Sequence, residues 1–265
     1  MQDWEKDPLT LFGVRGKSII ITGATGAFGA LAARVLAAAG AKLTLAAGNA
    51  GELANIVKLC QELSAEVTGA NLRPDSEANA AAIVAKATGF GSVDGLVVAS
   101  GMNDVAPITE MSPERFLNVM DANVTGSWLM ARAAGTRMLE QKTGGKIVLM
   151  SSARGKLGHP AGYSAYCASK SAVDGITRAL GCEWGPRGIT VNAIAPTVFR
   201  SPLTAWMFED TEKAEAMRKG FLTRVPKGRL GEPSDLAGPL LFLLSAASDF
   251  YTGHTLYADG GYTAG

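Results

Sequence analysis

The amino-acid sequence predicts a single α/β domain built on a doubly wound parallel β-sheet with helices on both faces. Short apolar runs alternate with longer helical stretches along all 265 residues. Several runs have a continuous β-branched, apolar centre, as in KSIIIT (17–22), which is typical of strands buried on both faces. Neither an internal repeat nor a linker interrupts the alternation. One domain over 1–265, with strands joined through helices, is therefore the expected architecture.

Seven strands and the helices between them follow from this pattern. The apolar runs predict strands at 17–22, 41–47, 65–70, 93–100, 145–152, 189–196 and 254–259. Helical periodicity predicts helices at 27–40, 50–63, 76–89, 112–140, 162–184 and 232–245, with a less regular helical section at 201–222. Ser112 and Pro113 supply an N-cap and a first-turn proline for the longest helix, and Gly40 ends the first helix.

Composition argues against several classes of protein. Lys and Arg total 25 and Asp and Glu total 24, without a basic stripe, so nucleic acid is not an expected partner. Cys60, Cys167 and Cys182 lack metal-ligand spacing and are expected to be reduced thiols, so no metal site is predicted. No signal pattern opens the chain, and no apolar run reaches the roughly 18 residues of a membrane span. A cytoplasmic protein is expected, and the low charged fraction of 18% indicates surface buried between subunits.

A glycine-rich turn, TGATGAFG (22–29), lies between the first strand and the first helix. Such a turn brings backbone N–H groups and the positive end of a helix dipole to one point, which suits a pyrophosphate. Glycine is needed because a side chain would block close approach. We therefore expect a Rossmann-type dinucleotide site with contacts from Gly23, Thr25, Gly26, Ala27, Phe28 and Gly29.

In such folds, a residue at the end of the second strand usually contacts the adenosine ribose. An acid there binds the 2′-hydroxyl of NAD, whereas an arginine accommodates the 2′-phosphate of NADP. Here the strand ends in Ala47, Gly48 and Asn49, which supply neither group. Small residues leave room for either cofactor. Because no Lys or Arg lies between Leu43 and Val57, the sequence favours NAD slightly.

Further motifs follow in order along the chain. They are DANVTG (121–126), MSS (150–152), Tyr166-x-x-x-Lys170, GITVNAIAP (188–196) and ADGGY (258–262). Together with the glycine-rich turn, they resemble the short-chain dehydrogenase/reductase family in its common single-domain branch. The resemblance extends from Leu11 to the end of the chain, and residues 1–15 are expected to form an N-terminal extension. It implies an NAD(P)-dependent oxidoreductase and a homotetramer.

The resemblance implies four catalytic residues by position. Tyr166 would be the general acid/base, and Lys170, four residues later on the same helix face, would lower the pKa of Tyr166 and hold the nicotinamide ribose. Ser152 would bind the substrate oxygen. Asn123 would support a water that links Lys170 to solvent, and Ser201 would reach the nicotinamide carboxamide.

The chain departs from the family pattern at the cofactor. Ala27 stands at the second glycine position of the turn, and Asn71 replaces the usual aspartate that contacts adenine. Only Gly101 remains of the usual Asn-Asn-Ala-Gly turn, in the run 98–101. The resemblance completes the cofactor contacts with Leu72, Ser100, Pro196 and Phe199.

Several of these roles have alternatives. Tyr163 is a second candidate acid, although no lysine lies four residues after it. Ser151 is the adjacent competitor of Ser152. Asn123 could instead have a purely structural role, in which it bends or caps a helix. Ser201 could likewise serve as a helix N-cap and nothing more.

The substrate is weakly encoded. Arg154 and Arg200 would bind a carboxylate, phosphate or sulfonate if both face the cleft, whereas arginines turned to solvent would not. His159 lies in the loop between the candidate serine and tyrosine, near the expected pocket. Trp206 belongs to an apolar run in segment 197–225, which the resemblance makes a substrate-covering segment.

These observations predict an enzyme that interconverts a secondary alcohol and a ketone on a small molecule, with an anionic substrate as one expectation. A carbonyl that accepts a hydride develops negative charge on its oxygen and needs a proton donor there. Two alternatives remain open. One is an epimerase or dehydratase that uses transient oxidation, and the other is a non-catalytic protein that senses a dinucleotide.

Overall fold

Seven parallel strands form one sheet in the computed structural model, which describes residues 3–265. The strands are β1 (Ser18–Thr22), β2 (Lys42–Ala46), β3 (Val67–Ala70), β4 (Gly95–Val98), β5 (Gly145–Met150), β6 (Ile189–Pro196) and β7 (Thr255–Ala258). Their order across the sheet is β3-β2-β1-β4-β5-β6-β7. The order reverses between β1 and β4, and ligands of such sheets bind outside the carboxyl ends of the strands at this point.

Helices cover both faces of the sheet. They are α1 (Asp3–Lys6), α2 (Ala27–Ala38), α3 (Ala50–Glu62), α4 (Glu77–Ala87), α5 (Pro113–Met120), α6 (Gly126–Gln141), α7 (Ser164–Trp184), α8 (Glu212–Leu222) and α9 (Ser234–Leu244). One core lies under α2, α3 and α9, and the other under α4, α6 and α7. Ile19 and Ile21 of β1 join the first core and Ile20 joins the second. Because both faces are buried, the strand is continuously apolar.

The structure confirms the predicted fold class and changes several element boundaries. β3 begins at Val67 rather than 65, and β4 is shorter than the predicted 93–100. The section 201–222 contains a 3₁₀ helix (Pro202–Phe208) followed by α8. Residues 1–2 of the expected N-terminal extension lie outside the described residues. Within 3–265, no helix has the length and apolar character that crossing a membrane would need.

The helix predicted at 112–140 contains a π-turn. α5 continues through this turn (Asp121–Thr125) into α6. A π-turn adds a residue to the helical repeat and is frequent at functional sites. The Ser127 hydroxyl donates a hydrogen bond to the Asn123 carbonyl oxygen at 2.6 Å. Asn123 itself lies inside the turn and is buried.

The contact between α6 and α7 depends on the absence of a side chain at Gly135. A methyl group there would lie 2.5 and 2.6 Å from two ring carbons of Trp184. We predict that Gly135→Ala lowers the free energy of unfolding by about 1–2 kcal/mol, because overpacking outweighs the better helix propensity of alanine. Equilibrium unfolding in urea measures the change.

Gly220→Ala in α8 is the matched control. No heavy atom outside the local helix lies within 4 Å of the added methyl group. We expect this variant to be neutral or more stable by up to about 1 kcal/mol. Equal effects of the two substitutions would contradict the packing argument.

Candidate active site

Asn123 joins three elements at the carboxyl end of the sheet. Its Oδ1 accepts a hydrogen bond from the Met102 backbone N–H at 2.7 Å, and its Nδ2 donates to the Met102 carbonyl oxygen at 2.8 Å. Nδ2 also donates to Ser169 Oγ, on α7, at 2.9 Å. The buried amide is thus satisfied at both ends, and it fixes the loop after β4 against the π-turn and α7.

Tyr166 and Lys170 lie one turn apart on α7, with Lys170 Nζ 5.5 Å from the centre of the Tyr166 ring. Lys170 is buried, and Nζ donates to the carbonyl oxygen of Met150 at 2.7 Å. Gly101 allows the loop after β4 to approach, since a methyl group there would lie 2.7 Å from Asn123 Oδ1 and 3.8 Å from Lys170 Nζ. The structure therefore brings Asn123, Tyr166 and Lys170 together. The amide of Asn123 bonds Met102 and Ser169, not Lys170.

Burial alters the proton affinity of both groups on α7. Desolvation lowers the pKa of Lys170 from 10.5 to about 8, against the opposing field of the Asp174 carboxylate. Desolvation raises the pKa of Tyr166 above its ordinary value, although the Ser152 hydroxyl and the charge of Arg154 oppose the rise. The lowered pKa expected for Tyr166 beside Lys170 is therefore not what the structure gives, because burial outweighs the opposing groups. Tyr166 is accordingly a neutral phenol at pH 7, which is the form that gives a proton to an oxygen.

Ser152 is the second residue after β5 and is the N-cap of a short 3₁₀ turn (Ala153–Gly155). Its Oγ accepts a hydrogen bond from the Arg154 backbone N–H at 3.2 Å, which leaves its own hydrogen able to donate to another oxygen. Ser151 Oγ is buried and has no hydrogen-bond partner within residues 3–265. It is the Ser152 hydroxyl that interacts with the Tyr166 phenol.

The turn after β1 depends on close backbone approach. The hydroxyls of Thr22 and Ser100 share a hydrogen bond at 3.0 Å. Gly23 has a φ of +64°, and a methyl group there would lie 2.5 Å from the Ser100 nitrogen. A methyl group on Gly29 would overlap the Gly23 carbonyl oxygen. Gly26 caps α2 without a side-chain hydrogen bond, and the first turn of α2 has no acidic residue.

These features fit the pyrophosphate of a dinucleotide. The first N–H groups of α2 have no side-chain acceptor, and the helix dipole adds positive potential at the same point. Ala27 is the first residue of α2 and is exposed, so its methyl group is not packed into the turn. Thr25 and Phe28 are half-buried beside it.

The end of β2 is joined to the end of β3. Asn71 donates from Nδ2 to the carbonyl oxygens of Ala47 at 3.0 Å and Gly48 at 3.3 Å, in the amide orientation that satisfies both. Asn49 Oδ1 accepts a hydrogen bond from the first turn of α3 and is its N-cap. The side chain of Arg73 lies against Gly48. Arg73 was not among the predicted site residues, because it follows β3 and is remote in sequence from β2.

A cavity of about 180 Å³ opens beside the start of α2. Its walls include the expected cofactor residues Ala27, Phe28, Pro196, Phe199 and Ser201. Ser201 Oγ accepts a hydrogen bond from the Thr204 backbone N–H at 3.3 Å and so caps the 3₁₀ helix. Leu72, by contrast, packs half-buried against the second core.

A cationic cluster surrounds Tyr262, and one of its members, Arg154, also acts electrostatically on Tyr166. Arg154 donates from Nη2 to the Tyr262 hydroxyl at 2.9 Å, and the Arg154 and Arg224 guanidinium carbons lie 5.3 and 4.6 Å from the centre of the Tyr262 ring. Burial, followed by the charges of Arg154 and Arg224, lowers the pKa of His159. Arg224 and Tyr262 were not among the predicted site residues, because only the tertiary fold brings them beside Arg154.

Arg200 has a different environment from Arg154. Its Nε donates to both carboxylate oxygens of Glu232 at 3.0 Å, and its guanidinium carbon lies 3.9 Å from the centre of the Phe208 ring. Trp206, in the same 3₁₀ helix, is exposed. Arg224, and not Arg200, therefore packs with Arg154 against Tyr262. The charge of Arg200 is neutralised by the Glu232 carboxylate.

Comparisons with known proteins agree with this geometry. Residues 23–263 match a family model described as enoyl-(acyl carrier protein) reductase. An uncharacterized oxidoreductase of Mycobacterium tuberculosis (strain ATCC 25618 / H37Rv) is 56% identical over 257 residues, which cover 97% of this chain and 94% of the relative. Galactitol 2-dehydrogenase (L-tagatose-forming) of Cereibacter sphaeroides is 36% identical, covering 97% of this chain and 99% of the relative.

A solved structure gives the same fold. A gluconate 5-dehydrogenase from Burkholderia cenocepacia J2315, in complex with NADP and tartrate, superposes with a TM-score of 0.90 at 29% identity. The superposition covers 97% of this chain and 99% of that one. The likeness thus extends over the whole sheet and not only over the glycine-rich turn.

We predict that Lys170→Met stabilises the protein at pH 7 while it removes the ammonium. The depressed pKa means that folding carries a desolvation cost on the order of 3 kcal/mol at pH 7, and loss of the bond to Met150 offsets about 1 kcal/mol of the gain. The melting temperature should rise by about 4 °C or more.

The gain in stability of Lys170→Met over the wild type should decrease as the pH rises above about 8. Below pH 8 the lysine is charged in both folded and unfolded chains, so the wild type carries the full cost; the cost declines from about pH 8 to 10.5. Differential scanning calorimetry measures the difference in melting temperature between Lys170→Met and the wild type at pH 7 and at pH 10. Lys58→Met, at an exposed position of α3, is the control. A less stable Lys170→Met at pH 7 would contradict the assignment of a costly buried charge.

Proposed function

This chain belongs to the short-chain dehydrogenase/reductase family and is an NAD(P)-dependent oxidoreductase acting on CH–OH groups; we propose that it interconverts a secondary alcohol and a ketone with Tyr166 as general acid/base. One observation carries the proposal. A neutral phenol, a serine hydroxyl that can donate and a buried ammonium meet at the carboxyl ends of β4 and β5, beside the turn that fits a pyrophosphate.

The proposed chemistry requires control of charge at one substrate oxygen. The nicotinamide, when bound, supplies or accepts the hydride. In the reducing direction Tyr166 gives its phenolic proton to the carbonyl oxygen, and Ser152 donates a hydrogen bond to the same oxygen. In the oxidising direction the Lys170 ammonium stabilises the phenolate that takes the proton back. Asn123 positions these groups through Met102 and Ser169.

We propose that the substrate is a polyhydroxylated carboxylate. Relatives are named for polyols and sugar acids, as in galactitol 2-dehydrogenase and gluconate 5-dehydrogenase. Arg154 and Arg224 form no ion pair with an Asp or Glu within residues 3–265. Two uncompensated guanidinium groups favour a carboxylate over a neutral sugar alcohol. His159, kept neutral beside them, supplies a further polar contact.

Assembly and coverage of the site belong to the same proposal. We infer a cytoplasmic homotetramer in which the 3₁₀ helix and α8, within segment 197–225, cover the substrate. Trp206 is an exposed aromatic residue in this segment. Leu117 and Trp128 are exposed apolar side chains on α5 and α6, and a second copy of the chain would cover such a surface.

We predict that Tyr166→Phe lowers kcat by at least about 100-fold, because it removes the proton donor. It should bind NADH and NADPH as the wild type does. The measurement follows nicotinamide absorbance with a panel of sugar acids and polyols, together with product analysis. Tyr163→Phe removes the hydroxyl of the rival acid and should retain activity.

Two results would contradict the proposed reaction. Turnover by Tyr166→Phe at the wild-type rate would remove the role of the phenol. Consumption of substrate without net change in NAD(P)H would indicate an epimerase or a dehydratase instead.

We predict that Arg154→Gln and Arg224→Gln each raise KM for acidic substrates by about 10-fold or more, since a charged hydrogen bond contributes about 1.5–3 kcal/mol. Neutral polyols should show little change. Arg200→Gln is the matched control because Glu232 already neutralises that guanidinium. Equal losses on acidic and neutral substrates in the Arg154 and Arg224 variants would show that the cluster does not select a carboxylate.

A further inference from the structure

At the end of β2, the space that a side chain at position 48 would take is occupied by Arg73, from the loop after β3. Gly48 has no side chain, and Arg73 occupies the space beside its Cα. A methyl group at Gly48 would overlap Nε of Arg73 and lie 3.0 and 3.1 Å from its Cγ and Cδ. The stem of Arg73 thus runs over the turn that ends β2. In folds of this kind, that turn lies beside the adenosine ribose.

The backbone on both sides of Arg73 is held in place. Two residues before it, Asn71 hydrogen-bonds the carbonyl oxygens of Ala47 and Gly48. The residue after it, Pro74, is buried and restricts Arg73 to extended backbone conformations. The loop after β3 therefore directs Arg73 to the β2 turn through its own geometry.

The charge of Arg73 has no carboxylate partner among the described side chains. No carboxylate of residues 4–265 forms an ion pair with it, and Asp75, two residues later, accepts a hydrogen bond from Asn79 at 2.7 Å. Ala47, at the usual position of the acid that binds a ribose 2′-hydroxyl, brings no negative charge. The turn after β2 therefore offers an unpaired guanidinium and lacks the carboxylate that would repel a phosphate.

We propose that Arg73 binds the 2′-phosphate of NADP(H) and that the enzyme prefers NADP(H) to NAD(H). This inference rests on the proposed function, and it reverses the slight preference for NAD that the residues near β2 predict. A guanidinium matches phosphate geometry with two parallel hydrogen bonds, whereas a 2′-hydroxyl offers it only one weak acceptor.

The test is equilibrium binding, followed by fluorescence of the purified full-length protein titrated with NADPH and with NADH. We expect the wild type to bind NADPH at least about 10-fold more tightly. Arg73→Gln should weaken NADPH binding by about 10- to 100-fold and change NADH binding by less than about 2-fold. Adenosine 2′,5′-bisphosphate and 5′-AMP, as competitors that lack nicotinamide, should show the same contrast.

Two further variants complete the design. Arg187→Gln removes an equal charge just before the amino end of β6, which is separated from β2 by three strands, and should leave both affinities unchanged. Ala47→Asp adds the missing acid and should favour NADH. These variants distinguish a local contact of Arg73 from a general effect of net charge.

The outcomes separate this inference from the proposed function. Equal loss of NADH and NADPH binding in Arg73→Gln, or tighter binding of NADH by the wild type, would overturn the role of Arg73 and leave the dehydrogenase intact. Binding of neither nucleotide by the wild type would contradict the proposed function as well.

Discussion

The side-chain amide of Asn123 is the constraint on which the candidate site depends. Its three hydrogen bonds reach the Met102 backbone and Ser169, so the loop after β4, the π-turn between α5 and α6, and α7 are held in one mutual position. Tyr166 and Lys170 lie on α7 and therefore share that position. An asparagine without these partners would leave a buried amide unsatisfied, which the fold avoids by keeping all three elements in place.

Near Asn123, the buried Lys170 side chain keeps its positive charge at pH 7, although desolvation disfavours the charged form. Lys170 is surrounded by protein and is stabilised mainly by one carbonyl oxygen and a carboxylate one turn away. A group held at such a cost is typical of functional positions, where stability is given up for reactivity. The apolar centres of β1 and β5 and the two large cores stabilise the rest of the domain enough to tolerate it.

The sequence predicted the fold well because most strands have an apolar or β-branched centre and the helices between them have a clear helical period. Tyr166 and Lys170 were predicted as a pair because an ordered set of other motifs surrounds them along the chain, since a spacing of four is common in helices. Arg73 and Arg224 were missed because their positions depend on which strands are neighbours and on how loops fold back. No local pattern places the end of β3 beside Gly48, or Arg224 against Tyr262.

The π-turn has a consequence for how the chain tolerates insertions and deletions. Each residue of an α-helix turns the chain by about 100°, so the extra residue of a π-turn sets the rotational phase of everything after it. Deleting one residue between 121 and 125 would restore regular helix geometry and raise local helix propensity. It would also rotate α6 relative to α5 and withdraw Gly135 from Trp184. The length of this five-residue segment therefore sets the rotation of α6 relative to α5, in addition to the role of Asn123 within it.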